Sequence, residues 1–258
     1  MTTEELRTSL LAEKKNGYAR ITAEQKEEMN AYCKRYAAFM DASKTEREAT
    51  AWAIAEAEKY GFKPFTPGME VSAGDKIYYN NRDKAIALAV IGTESLAKGS
   101  NICAAHVDSP RMDLKPNPLY EDAEIAYFKT HYYGGIKKYQ WPTVELAIHG
   151  VVCRKDGTTV NITIGEDADD PILMISDLLP HLAADQMQKT AAQVIAGEQL
   201  NVILGTEPLE GEGSDMVKLH IMKLLNEKYG IVESDFLSAS CASFLPANAV
   251  RLVWIGAC

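Results

Sequence analysis

A histidine and an aspartate stand two residues apart in the segment Asn101–Pro110, which reads NICAAHVDSP. The apolar run at the start of this segment predicts a β-strand that ends at His106. Residues i and i+2 of an extended chain face the same side, so the side chains of His106 and Asp108 can project together. Open α/β sheets place their active sites beyond the carboxyl ends of their strands, and the pair is predicted to lie there.

The chemistry that this pair offers is metal binding. An imidazole that binds a metal usually donates its other ring N–H to a carboxylate, which fixes the tautomer and orients the lone pair. His106 is therefore a candidate metal ligand, and Asp108 is the candidate residue that orients it. The same spacing also fits a partly buried structural histidine that is hydrogen-bonded to its neighbour, and a match this short leaves both interpretations open.

A longer pattern surrounds these residues. It continues through Arg111–Leu119 (RMDLKPNPL) and His131–Trp141 (HYYGGIKKYQW), and it includes Ser43–Glu48 (SKTERE), Tyr60–Phe62 (YGF) and Pro171–Leu178 (PILMISDL). Together these segments resemble the aspartyl aminopeptidase and aminopeptidase I family of zinc metallopeptidases. The resemblance covers nearly the whole chain up to about Ala239.

The resemblance implies an α/β fold of a particular kind. Residues 1–113 would form the N-terminal part of an α/β/α catalytic domain, and residues 114–235 would form an inserted β-rich dimerisation domain. Residues 236–258 would begin the return to the catalytic domain. Homo-oligomers are therefore expected, assembled through the inserted domain.

The resemblance also implies a function, which is the metal-dependent release of N-terminal amino acids from peptides. Two zinc ions act in the complete family enzyme, and His106 corresponds to a ligand of one of them, with Asp108 supporting it. In the family, a histidine of the dimerisation domain reaches the active site of the neighbouring subunit. His181 is a loose match for that histidine.

Members of the family are longer than this chain, and this sets a further expectation. The remaining metal ligands, a catalytic glutamate and a bridging aspartate would all lie beyond the matched segments. We therefore expect residues 1–258 alone to bind zinc weakly and to be inactive, because one imidazole does not make a zinc site. The apolar segment Cys241–Cys258 replaces a charged continuation, which suggests a truncated or frame-shifted product. The alternative is a non-catalytic fragment that associates with itself or with a full-length homologue.

Composition narrows the class of protein. The chain has 258 residues, 47% of them hydrophobic, and a net charge of −9, which allows a substantial core and argues against nucleic-acid binding. It has neither a basic and then apolar leader nor an apolar run of about 18 residues, so we expect no membrane association and a cytoplasmic location. The five cysteines lack the spacing of a zinc ribbon or a disulfide framework, and Cys103 is expected to be a core residue.

The pattern before the metal-binding candidates predicts helices and then strands. Thr22 and Gln25 stand in capping-box register before a long amphipathic helix. A second helix should run from about Thr45 to the Tyr60–Gly61 turn, with Trp52 in the core. Two strands, at about Lys76–Asn80 and Ala85–Gly92, should follow and pair with each other.

The region after Asp113 is predicted to be mostly β. Strands are expected within Thr143–Val152 and Thr158–Ile164, on either side of a hairpin turn at Asp156–Gly157. A helix should begin with Ser214 as its N-cap and end at Tyr229–Gly230.

Three further histidines are possible metal ligands by residue type. His149 lies in an apolar strand and His220 on a helix, and both are interpreted as structural because neither has a second ligand at metal spacing. The sequence leaves the role of His131 open.

Overall fold

A computed structural model describes residues 1–12 and 14–244, except for the side chain of Ser243. The chain forms two compact units, which within the described residues comprise 1–41 and 42–244. Of the predicted tail Cys241–Cys258, the part from residue 245 onward lies outside the described residues. No helix in the described part of the chain is both long enough and apolar enough to cross a bilayer.

The first unit is helical. Helix α1 (Thr3–Leu10) begins with a capping box in which Thr2 and Glu5 satisfy each other's backbone N–H groups. Helix α2 (Ala23–Ala42) begins in the same way, because Thr22 and Gln25 form the predicted reciprocal hydrogen bonds. The prediction of a long helix here is confirmed.

Helix α3 (Glu46–Lys59) opens the second unit. Thr45 caps it, with Glu48 completing the capping box, and Gly61 follows the helix with φ of +82°. Both predicted ends are confirmed within one residue. Trp52 is only partly buried, and the side of α3 that faces the protein interior presents small residues instead (Ala49, Thr50 and Ala57).

Three strands follow α3. Strands β1 (Lys63–Pro64) and β2 (Lys76–Asn81) are parallel, and β2 pairs with β3 (Ala85–Val90) in antiparallel register. The predicted pairing of β2 with β3 is confirmed. Most residues of β3 are exposed, and β3 is an edge strand in the described sheet.

The predicted strand ending at His106 is wrong. Residues 101–110 have no regular secondary structure, and both Ile102 and Cys103 are exposed. A strand exists only where neighbouring strands satisfy its backbone, and no described segment pairs with this one. The apolar composition of the segment was therefore not enough to form a strand. The prediction that Cys103 is a core residue is also wrong, because Cys103 is exposed.

A six-stranded antiparallel sheet dominates the second unit. It comprises β4 (Arg111–Asp122), β5 (Ile125–Tyr133), β6 (Ala147–Cys153), β7 (Thr159–Ile164), β8 (Val202–Gly205) and β9 (Ala239–Phe244). The spatial order is β7-β6-β9-β4-β5-β8. The predicted hairpin around Asp156–Gly157 joins β6 to β7, and the β-rich character predicted after Asp113 is confirmed.

Helix α4 (Met216–Tyr229) packs against β4, β5 and β8. It ends at Gly230 in the left-handed conformation, as predicted, but the residue at its N-cap is Asp215 rather than Ser214. The Asp215 backbone is left-handed, and its side chain makes no capping hydrogen bond. The hydrophobic core of this unit includes Val217 of the helix itself together with Met112, Phe128, Leu146, Ile148, Leu173, Leu200 and Val202.

The observed mixture of helices and sheets confirms the α/β fold class. The division into two domains at residues 113 and 236 stays a prediction. Strand β4 runs continuously across residue 113. After residue 236, β9 inserts between β4 and β6, so this part of the chain is integrated in the same sheet.

Candidate metal centre

His106 and Asp108 lie together, as their spacing predicts. The Nδ1 atom of His106 is 3.0 Å from Oδ1 of Asp108 and 2.8 Å from the backbone carbonyl oxygen of the same residue. Both of these oxygens are acceptors, so Nδ1 carries the proton and donates. Nε2 is then the nitrogen that keeps a lone pair for a metal. The imidazole is 82% exposed, so this nitrogen is accessible.

Asp108 has a second partner that the sequence did not reveal. The hydroxyl of Tyr133, at the end of β5, donates to the other carboxylate oxygen, Oδ2, over 2.7 Å. The Tyr133 hydrogen bond lowers the pKa of Asp108, partial desolvation opposes this, and the His106 hydrogen bond lowers it further. The same bond raises the pKa of the Tyr133 hydroxyl. Asp108 therefore stays an ionised acceptor and Tyr133 a protonated donor around neutral pH.

Arg111 supports Tyr133 from the neighbouring strand. The two residues are direct partners in the β4–β5 register, and the guanidinium carbon lies 4.3 Å from the centroid of the Tyr133 ring. Nε of Arg111 donates to Oδ1 of Asp113 over 2.7 Å, and a terminal nitrogen lies 3.8 Å from a carboxylate oxygen of Glu46. The guanidinium is thus fixed between two carboxylates and an aromatic ring.

The described residues supply one metal ligand at this place and not a complete site. No group of three or more histidine, cysteine, aspartate or glutamate residues in the described part of the chain could hold a metal ion. A catalytic zinc ion normally has three protein ligands. The free Nε2 of His106 fits the role of one of them, since its tautomer and orientation are already set.

His181 lies in an exposed turn of the second unit, away from regular structure. Within the described residues, the hydrogen bonds of His106 and Asp108 go to each other and to Tyr133, not to His181. Its role across a subunit boundary therefore stays a prediction. His131 is also exposed, on β5, where its ring stacks on Tyr132.

His149 is structural, as predicted. Its Nδ1 lies 2.8 Å from Oε1 of Glu48 on α3, and its Nε2 lies 2.8 Å from Oε1 of Glu166 after β7. Burial lowers the pKa of His149, but the hydrogen bonds and charges of the two glutamates outweigh it, so the pKa is raised. With both ring nitrogens bonded to carboxylates, His149 has no lone pair for a metal.

His220, on α4, is also consistent with a structural role. Its Nδ1 lies 2.9 Å from the backbone carbonyl oxygen of Glu207.

The family of the chain follows from comparison with known proteins. Residues 39–254 match the family model described as aminopeptidase I zinc metalloprotease, M18. A probable M18 family aminopeptidase 1 from Clostridium acetobutylicum is 49% identical over 247 residues, covering 94% of this chain and 53% of the relative. The chain belongs to the M18 family of zinc metalloproteases.

Solved structures agree with this assignment. The chain resembles aminopeptidase I from C. acetobutylicum with a TM-score of 0.84 at 43% identity, covering 95% of this chain and 55% of that one. A more distant structure, described as the mApe1 dodecamer of S. cerevisiae, has a TM-score of 0.58 at 17% identity and covers 82% and 47%. That likeness shows the fold alone. The chain spans about half the length of these relatives.

Tyr133 and Arg111 were missed by reasoning from sequence. Both lie in segments that carried the family resemblance, but their contact depends on the β4–β5 register. Gly134, which has φ of +78°, follows the last residue of β5 and lies beside Pro110.

Proposed function

We propose that this chain provides the His106 ligand of the zinc centre of an M18 aminopeptidase, which releases N-terminal amino acids from peptides. The observation that carries the proposal is the His106–Asp108 pair, in which Nδ1 is committed to two acceptors and Nε2 is exposed. Family membership supplies the class of reaction. Asp108 acts as the residue that orients the ligand.

Zinc in such a centre polarises the scissile carbonyl and makes a bound water a stronger nucleophile. The residues of this chain orient the imidazole of His106. Asp108 holds the imidazole in one tautomer, and the backbone carbonyl of the same residue restricts rotation of the ring. Because only one ligand is described, we propose that the remaining ligands and the proton-transferring glutamate come from residues outside 1–12 and 14–244.

We propose further that the polypeptide 1–258 by itself binds zinc weakly and does not hydrolyse peptides. The more informative test uses a chimera in which residues 1–244 replace the corresponding part of the C. acetobutylicum relative, which is 49% identical. Zinc content and hydrolysis of aminoacyl substrates are then measured for the chimera and for its His106→Ala variant.

We expect the chimera to bind zinc and to be active, and we expect His106→Ala to lose both properties. Removing one ligand from a three-ligand site leaves too few to hold the ion. His131→Ala is the matched control, because it removes an exposed imidazole elsewhere and should leave zinc content unchanged. Equal zinc content in His106→Ala and the parent chimera would contradict the proposal. Full activity of the unfused chain would contradict the statement that ligands are missing.

A second candidate function is association without catalysis, either with a second copy or with a full-length homologue. It is favoured by exposed apolar side chains in the second unit, which include Leu88 and Val90 on the edge strand β3 and Leu178, Leu179 and Leu182 around His181. Edge strands with apolar side chains tend to pair with another chain. This candidate function includes a homo-oligomeric state and a cytoplasmic location.

Size-exclusion chromatography with light scattering tests the association function. A monomeric chain would weaken the association function. An oligomer that persists when Leu179 and Leu182 are both replaced by Ser would show that the His181 loop is not its interface, and this would also remove the support for His181 acting in a neighbouring subunit.

A further inference from the structure

We propose that Tyr133 is a positioning residue for the metal ligand His106: through Asp108 it keeps the imidazole proton on Nδ1 and leaves Nε2 free for zinc. This inference rests on the proposed function for the meaning of the free Nε2. The hydrogen-bonded chain itself, from Tyr133 through Asp108 to His106, stands on the geometry alone.

The two oxygens of the Asp108 carboxylate have different hydrogen-bond partners. Oδ1 shares the imidazole Nδ1–H, at 3.0 Å, with the Asp108 carbonyl oxygen at 2.8 Å, and Oδ2 receives the Tyr133 hydroxyl at 2.7 Å. A carboxylate in an otherwise irregular and exposed segment can rotate about its side-chain torsions. With one oxygen fixed by a hydroxyl, rotation would break a hydrogen bond, so the other oxygen stays directed at His106.

Tyr133 is itself held in place by its neighbours. The residue lies in β5, paired directly with Arg111 of β4, and the Arg111 guanidinium covers its ring at 4.3 Å. That guanidinium is held in turn by Asp113 and Glu46. Functional side chains are held more accurately by regular elements than by loops.

The hydrogen-bonded chain joins an irregular segment to the six-stranded sheet. His106 and Asp108 lie in residues 101–110, which have no regular structure, whereas Tyr133 and Arg111 lie in the six-stranded sheet. The Tyr133 hydroxyl therefore ties the loop that carries the ligand to the six-stranded sheet and restricts the motion of Asp108. A second link, from the Ser109 hydroxyl to the backbone carbonyl of Lys44 over 3.4 Å, restrains the same loop from the side of α3.

The test measures the tautomer of the neutral His106 ring directly, by long-range ¹H–¹⁵N NMR correlation of the ¹⁵N-histidine-labelled chain at alkaline pH. His106→Gln identifies the signal. Tyr133→Phe removes only the hydroxyl, and Tyr132→Phe is the matched control, because it makes the same chemical change one residue away. No metal or substrate is added, so the result does not depend on activity.

We expect the Nδ1–H form to dominate in the wild-type chain and in Tyr132→Phe, and we expect Tyr133→Phe to lose that dominance. A parallel titration with Zn²⁺ alone, followed by the His106 Nε2 signal, should require about two- to tenfold more zinc in Tyr133→Phe. Loss of a direct partner of a metal ligand costs about 10–100-fold, and Tyr133 lies one residue further out.

An unchanged tautomer in Tyr133→Phe would overturn the inference, as would an equal change in Tyr132→Phe. If Tyr133→Phe does not fold, the reciprocal variant Asp108→Asn replaces it, with ¹³Cζ-labelled tyrosine as the probe. The Tyr133 signal should then shift while the other tyrosine signals stay in place, and no shift would overturn the inference. Failure of the zinc chimera with an intact tautomer result would reject the proposed function and leave the positioning role standing.

Discussion

His106 and His149 both contact carboxylates, but their surroundings give them different roles. The His106 ring is 82% exposed and uses one nitrogen, whereas the His149 side chain is 7% exposed and uses both. A neutral imidazole has one donor and one acceptor nitrogen, so only a charged ring can donate to two carboxylates. His149 is therefore an ionic link between α3 and β6, and His106 keeps a free lone pair.

The His149 ion pairs should make stability depend on pH. The pKa of His149 is raised, so its contribution is complete below the ordinary histidine value of about 6.5 and is lost as the pH rises through the higher folded-state value. Burial raises the pKa of Glu48, but its bonds with His149 and Thr45 lower it overall. The Glu48 contribution is therefore present above the unfolded glutamate pKa and is lost in acid.

We expect His149→Gln to lower the free energy of unfolding by about 1.5–3 kcal/mol at mildly acidic pH, toward the lower figure because both glutamates are partly exposed. The difference from wild type should shrink as the pH rises from about 6 to about 9. Urea unfolding across this range measures it. His131→Gln is the exposed control and should follow the wild-type curve. A difference that is constant with pH would show that the ring charge does not contribute.

Close approach of β6 and β9 depends on one glycine. A Cβ atom at Gly150 would lie 2.3 Å from the Ser240 carbonyl oxygen and 2.5 Å from Cα of Cys241. Both contacts are with backbone, so no flexible side chain can move aside. Gly150 therefore sets the distance between two strands that are neighbours in space and about 90 residues apart in sequence.

We expect Gly150→Ala to destabilise the second unit by about 1–3 kcal/mol, the usual cost of an overpacked site. Gly135→Ala is the matched control, since a Cβ atom there meets nothing within 4 Å and its φ is not positive. The control should change stability by less than about 1 kcal/mol. Equal midpoints of urea unfolding for the two variants would refute the predicted clash.

At the level of elements, most predictions from local signals were accurate, although Ser214 is not the N-cap of α4, and the strand prediction that needed distant partners was wrong. The caps at Thr22 and Thr45 and the terminating Gly61 act within a few residues, and each was found where expected. The strand expected before His106 required partner strands elsewhere in the chain. Its apolar composition could not show that such partners were absent from the described sheets.

At the level of the whole molecule, the core of the second unit is built from residues far apart in sequence. Leu146 is 1% exposed, and its backbone bridges to Leu173, which is also buried. We expect Leu146→Ala to cost about 2–5 kcal/mol in the free energy of unfolding, because it removes buried methyl groups and leaves a cavity. Denaturant unfolding measures this effect.

The control for Leu146→Ala is Leu96→Ala, because Leu96 is 83% exposed. That variant should lie within about 0.5 kcal/mol of wild type. Similar losses for the two variants would mean that Leu146 does not belong to the cooperative core.

The sequence by itself determined the family, the α/β class, the start of α2, both ends of α3 and the identity of the His106–Asp108 pair, because each depends on short ordered segments or on spacings of a few residues. Only the tertiary structure decided which residues support that pair. Tyr133 and Arg111 meet through a strand register, and His149 meets Glu48 across 101 residues of sequence. Contacts of this kind depend on how distant strands and helices pack, and no local pattern in the chain encodes them.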